Sequence, residues 1–72
     1  MTTTRRTKIM MATMKLGQFD CMGDTEDGQI LRELAHSCGH SFRLDTMPVE
    51  GYAPILRLIY RERDNAGGQH ER

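Results

Sequence analysis

The sequence has no Trp, only four aromatic residues, two cysteines and no net formal charge over 72 residues. Each shortage excludes something. A neutral chain carries no global field to draw in nucleic acid or a membrane surface. Two cysteines are too few for a disulfide-dense scaffold, and without a secretory leader reduced thiols are expected. No apolar run approaches the roughly 18–20 residues needed to span a bilayer. The N-terminus is basic but has no apolar core or small-residue cleavage site, so the expectation is a cytoplasmic protein away from membranes. A Gly-rich phosphate loop, a G-x-S-x-G elbow and an H-E-x-x-H pair are all missing. No cofactor and no enzymatic activity are expected.

Size sets the next bound. A chain this short forms one domain and buries only about 60% of its unfolded surface. Such cores rarely supply more than roughly 3–5 kcal/mol, so a metal, a disulfide or a partner often helps. Methionine is plentiful, at six residues, and is read as filler for an irregular core.

Charge is neutral in sum but segregated along the chain. Residues 1–19 carry Arg5, Arg6, Lys8 and Lys15 with no acid. Residues 20–37 carry Asp20, Asp24, Glu26, Asp27 and Glu33 against Arg32 alone. The last third mixes Arg57, Arg61 and Arg63 with Glu62 and Asp64.

The pattern predicts one helix over about 25–38. Asp24 or Thr25 is its N-cap. Glu26 and Asp27 set negative charge in its first turn, where the helix dipole favours it. Ile30, Leu31, Leu34, Ala35 and Cys38 form one apolar stripe. Gly39 is placed just beyond its end as the left-handed terminator, and Gly28 weakens it by up to about 1 kcal/mol. Strands are expected over about 7–16, where two alternating sets are both largely apolar, and over 41–46 and 52–62. Gln18 to Met22 is a further short strand, and Met47 to Gly51 a turn. Residues 1–6 read as a disordered basic arm, 7–63 as a single small domain, and 64–72 as a flexible polar tail. The fold class is α+β, one helix on a small antiparallel sheet.

A second arrangement arises if 52–62 is helical, with Pro54 in the first turn. Thr7 to Leu16, Ile30 to Ser41 and Tyr52 to Arg63 then give a strand-helix-helix order. That order resembles the ribbon-helix-helix repressors, and the resemblance implies a dimer that pairs its strands and reads the DNA major groove with them. Phe42 to Gly51, including Pro48, lengthens the connection beyond that family's usual short turn. Under this alternative Arg5, Arg6, Lys8 and Arg57 contact nucleic acid.

Four residues could hold zinc, namely Cys21, His36, Cys38 and His40, which would make the chain a zinc-stabilised interaction module. The paired C-x2-C or H-x3-5-H spacing is missing on the Cys21 side. A Cys38 nucleophile with His36 or His40 is disfavoured, because residues two apart on a helix diverge. The acids at the helix start lack the alternation of an EF-hand. What remains is a small non-enzymatic protein-binding regulator or inhibitor of the phage or mobile-element type. It would cover part of a larger host protein or complex, such as a polymerase or a defence complex, as a monomer or homodimer. The expected contacts are Asp24, Glu26 and Asp27 on one side and Arg57, Arg61 and Arg63 on the other.

Overall fold

The computed structural model describes residues 4–62. The order is α1 (Arg5–Leu16), β1 (Gln18–Met22), α2 (Glu26–Ser37), β2 (Phe42–Val49) and β3 (Tyr52–Tyr60). The class is α+β, with two helices and one antiparallel three-stranded sheet. None of the described helices is long and apolar enough to cross a membrane. Residues 1–3 and Arg63 to Arg72, which include the expected tail, lie outside the described residues.

The expected strand over 7–16 is instead α1, and the expected arm contributes Arg5 and Arg6 to its first turn. Local chemistry explains the correction. The Thr4 hydroxyl accepts the Thr7 N–H at 3.2 Å and caps the helix. Gly17 closes it with φ 93°, a left-handed conformation that glycine adopts without penalty. Ile9 and Thr13, one turn apart, are the two residues it buries. Thr13 satisfies its own hydroxyl by donating to the Ile9 carbonyl at 2.7 Å. The apolar residues that looked like two strand faces are core on one side of a helix and exposed methionine on the other. Met11 and Met14 are exposed, as is Met22 on β1, so these three do not fill the core.

α2 follows the expected helix closely. Thr25 is its N-cap, accepting from Gly28 N at 3.1 Å. The C-terminal end differs from expectation. Cys38 is the cap residue, its N–H donating to the Leu34 carbonyl, and Gly39 is not among the positive-φ glycines. Gly28 is no mere weak spot. A Cβ there would stand 2.5 Å from the Met22 carbonyl oxygen and 2.9 Å from that of Gly23. Glycine is what lets the first turn of α2 press against the end of β1.

β3 is the central strand, between β1 and β2, and is antiparallel to both. β1 and β2 therefore run parallel to each other, and α2 joins them as the crossover of a split β-α-β unit. The strand-helix-helix order is absent, since 52–60 is a strand and 7–16 a helix. β2 runs on past the expected end at 46 to Val49, with a bulge between Met47 and Val49 that accommodates Pro48 on an edge strand. Gly51, φ 81°, completes the tight connection into β3.

The core forms where α1 and α2 cover one face of this sheet. Leu31 and Leu34 from α2, Ile9 from α1, and Phe42, Leu56 and Leu58 from the strands make the buried cluster. Phe19, Cys21, Leu44 and Tyr60 pack against it. By the period-2 alternation of strands, all of these strand residues share one side. The rings of Phe42 and Tyr60 meet at 5.6 Å between centroids. Two arginines tie α1 across α2: Arg5 forms a two-pronged ion pair with Asp27 at the start of α2, and Arg6 donates to Ser37 Oγ, 3.1 Å away at its end.

Candidate functional site

With both helices on one side, the other side of the sheet has no covering layer among the described residues. Register places its side chains in three cross-strand rows. Gln18, Ile59 and Arg43 make the first; Asp20, Arg57 and Asp45 the second; Met22, Ile55 and Met47 the third. Cross-strand neighbours in such rows are close enough to interact directly. One row is thus apolar throughout, another has Ile59 between Gln18 and Arg43, and a charged row separates them.

The charged row is built round one ion pair. Arg57 Nε donates to Asp20 Oδ1 and Arg57 Nη2 to Asp20 Oδ2, both at 2.9 Å, a bidentate arrangement that fixes both groups. The hydrogen bond from Arg57 holds the Asp20 carboxyl below its ordinary value, against a smaller opposing effect of burial. Asp45 lies 3.9 Å from Arg43 Nη1 and adds its field to that acting on Arg57. One arginine in the row thus faces two carboxylates, and Arg43 of the neighbouring row stands near the second.

The ends of the sheet differ in sign. Met22, the β1–α2 turn and the β2–β3 connection lie at one end, where Asp24, Glu26 and Glu50 are exposed. Asp24 and Glu26 make no side-chain hydrogen bond or ion pair among the described residues. Arg32 at this end is turned onto the Gly23 carbonyl at 2.8 Å. At the opposite end are the exposed side chains of Lys15, Arg43 and Arg61. Glu62 there accepts the Tyr60 hydroxyl at 2.9 Å.

The residues expected to bind a partner are therefore dispersed. Asp24 and Glu26 are exposed, whereas Asp27 is engaged by Arg5, whose hydrogen bond lowers its carboxyl pKa. Arg57 lies in the open face opposite Leu56 and Leu58, as its alternation required. Arg61 follows the end of β3 and donates from Nε to the Gly39 carbonyl at 2.8 Å. Arg63 is outside the described residues. The nucleic-acid set is also divided: Arg5 and Arg6 are committed to α2, Lys8 is exposed on α1, and Arg57 is on the other layer.

Cys21, His36, Cys38 and His40 are not brought together. Among the described residues, no three His, Cys, Asp or Glu side chains form a group that could hold a metal ion. Cys21 faces the core from β1, and burial raises its thiol pKa. Cys38 caps α2, while His36 and His40 are exposed. Sequence reasoning missed Met22, Met47, Ile55 and Ile59 as a shared surface. The signal was present in β3, where Ile55 and Ile59 alternate with Leu56 and Leu58, leaving both sides of that strand apolar.

No family model, curated protein or solved structure matches this chain.

Proposed function

We propose that this chain is a small non-enzymatic protein-binding regulator or inhibitor, one that docks through the open face of its sheet onto a larger protein or complex. The observation that carries the reading is the apolar row Met22–Ile55–Met47, with Ile59 beyond it, on a face the helices leave uncovered. Apolar surface rimmed by polar groups is characteristic of interaction sites. Asp24 and Glu26, exposed in the turn and first helical residue that follow Met22 along the chain, are the charges that steer the encounter, an effect expressed mainly in association rate. The small size and the segregated charge support a partner within a larger nucleic-acid-processing machine, of the kind a phage or mobile-element protein would cover.

The test is recovery of partners by the tagged protein from lysate of its source cells, with and without nuclease. Wild type should retain a stoichiometric protein after nuclease treatment, and Met47→Asp should lose it while keeping the wild-type circular dichroism spectrum. Recovery of nucleic acid that depends on Arg5, Arg6, Lys8 and Arg57 would overturn this reading in favour of a DNA-binding regulator.

A further inference from the structure

β2 is an edge strand, and the backbone pattern shows which of its groups face outward. Arg61 N–H donates to the Ser41 carbonyl at 2.8 Å, and Tyr60 N–H to the Gly17 carbonyl at 2.9 Å. Along β3, odd-numbered residues therefore bond towards β2 and even-numbered ones towards β1. The register then makes Arg43, Asp45 and Met47 the β2 residues that bond to β3. Phe42, Leu44 and Thr46 turn their N–H and C=O groups away from the sheet. The Phe42 N–H is taken by the Cys38 carbonyl at 2.9 Å. Those of Leu44 and Thr46 have no partner among the described residues. Pro48, at the bulge, brings no N–H and ends the stretch open to pairing.

An edge of this kind accepts another strand, and its side chains decide which. In an antiparallel pairing of β2 with itself, the two-fold axis passes through one residue. An axis at Leu44 sets Leu44 against Leu44, Phe42 against Thr46 and Arg43 against Asp45, the last two contacts made twice. The two Leu44 residues exchange both N–H···O bonds, and each Thr46 N–H reaches the other copy's Phe42 carbonyl. Neighbouring registers fail. An axis at Arg43 or at Asp45 sets like charges directly opposite, which destabilises a sheet, whereas opposite charges stabilise it. An axis at Thr46 brings Pro48 against Leu44 and loses a donor. Arg43 keeps Asp45 of its own strand at 3.9 Å in the Leu44 arrangement, and a guanidinium has five donors to share. The β1 edge is less suited. Its central register, about Asp20, opposes that carboxylate to itself, and the Met22 carbonyl already accepts from Thr25.

We infer that β2 is a self-pairing edge, through which two copies of this chain join antiparallel about Leu44 into one continuous sheet. Leu44 meets Leu44 on the helix side, next to the core it packs against, and Arg43 meets Asp45 on the open side. The Asp20–Arg57–Asp45 row then runs on into Arg43 of the second copy, which gives the row's second carboxylate an arginine on either side. Pairing over Phe42 to Thr46 alone falls below the roughly 1,200 Å² of standard interfaces, so the dimer is a transient one. The inference goes beyond the docking reading and stands without it, because docking uses the open face and self-pairing uses the edge.

The experiment is sedimentation equilibrium of the full-length protein, with amide hydrogen exchange followed by NMR on the same samples. Wild type should pass from monomer to dimer below about 1 mM, the range of weak association. Arg43→Asp and Asp45→Arg, with folding checked by circular dichroism, should each dimerise at least tenfold more weakly, since each sets like charges opposite. An equal mixture of the two should regain the dimer, because one chain is then acidic at both positions and the other basic. In wild type, exchange at the Leu44 and Thr46 amides should slow as concentration rises, while Asp20 on the other edge is unchanged. A wild type that stays monomeric at about 1 mM overturns the inference and leaves the edge to an extended segment of some other protein. So does a dimer indifferent to both variants, a mixture of the two folded variants that fails to associate, or slowed exchange at Asp20 in place of Leu44. Should Asp45→Arg fail to fold beside Arg57, the exchange measurement on wild type decides the matter by itself.

Discussion

On β3, Leu56 and Leu58 are 1% and 0% exposed beneath the two helices, whereas their neighbours Ile55 and Ile59 remain partly exposed on the other side. The four side chains are of one chemical kind and alternate along one strand. What separates them is the placement of the helices. α1 and α2 spend their buried residues, Ile9, Thr13, Leu31 and Leu34, on a single face. Among the described residues no element covers the other, so the covered face carries stability and the open face is the one proposed for recognition. The charged row across the open face fits that division. Asp20, Arg57, Asp45 and Arg43 keep a partly apolar surface solvated while it is empty.

The largest expected effect tests the two faces against each other. Leu58→Ala should lower stability by about 2–5 kcal/mol, the cost of a buried leucine truncated in a packed core. Ile59→Thr, one residue away, should cost less than about 1 kcal/mol, as surface changes usually do. Urea unfolding of the two variants decides the matter, and equal losses would mean that both faces are covered.

Gly28→Ala comes next. Helix propensity alone would favour alanine by about 1 kcal/mol. The added methyl group would collide with the Met22 and Gly23 carbonyls, so a net loss of about 1–3 kcal/mol is expected from overpacking. A raised thermal midpoint would show that α2 does not press on β1 as described. Thr25→Ala, which removes the cap of the same helix, should cost about 1 kcal/mol. An unchanged unfolding midpoint would count against that cap.

The smallest effect concerns pH and the open face. The Asp20 carboxyl is held below its unfolded value, first by the hydrogen bond from Arg57. Its contribution is therefore fully present above the unfolded carboxylate pKa of about 3.9 and is lost as pH falls through the lower folded value. Asp27 behaves in the same direction through Arg5. Asp20→Asn should shallow the decline of stability below pH about 4, and identical acid limbs in variant and wild type would remove the Asp20–Arg57 pair from the account.

Much of this comparison was legible in the sequence, though unevenly. α2 announced itself through Thr25, its first-turn acids and a stripe ending in Leu34 and Cys38. β2 and β3 were visible from alternation, and the position of Arg57 opposite Leu56 and Leu58 followed at once. The segment 7–16 was not legible, because Ile9, Met10, Met11, Ala12 and Met14 satisfy both a two-residue and a helical period. Only the caps at Thr4 and Gly17 distinguish the two. Misplacing that helix hid the site as well. With a strand there, the sheet gains a member and loses the second helix that fills its covered face, so nothing marks Ile55, Met47 and Met22 as the exposed side. Long-range register, which aligns these three residues in one row, is not encoded in any local window.

The central claim is that one side of the sheet is sealed and the other is open. Methyl resonance broadening by a soluble gadolinium chelate tests it most directly on the isolated protein. The methyl groups of Met22, Met47, Ile55 and Ile59 should broaden strongly, while those of Leu31, Leu34, Leu56 and Leu58 stay sharp. Protection of Ile55 and Met47 equal to that of Leu56 and Leu58 would contradict the account, because the face assigned to a partner would already be filled.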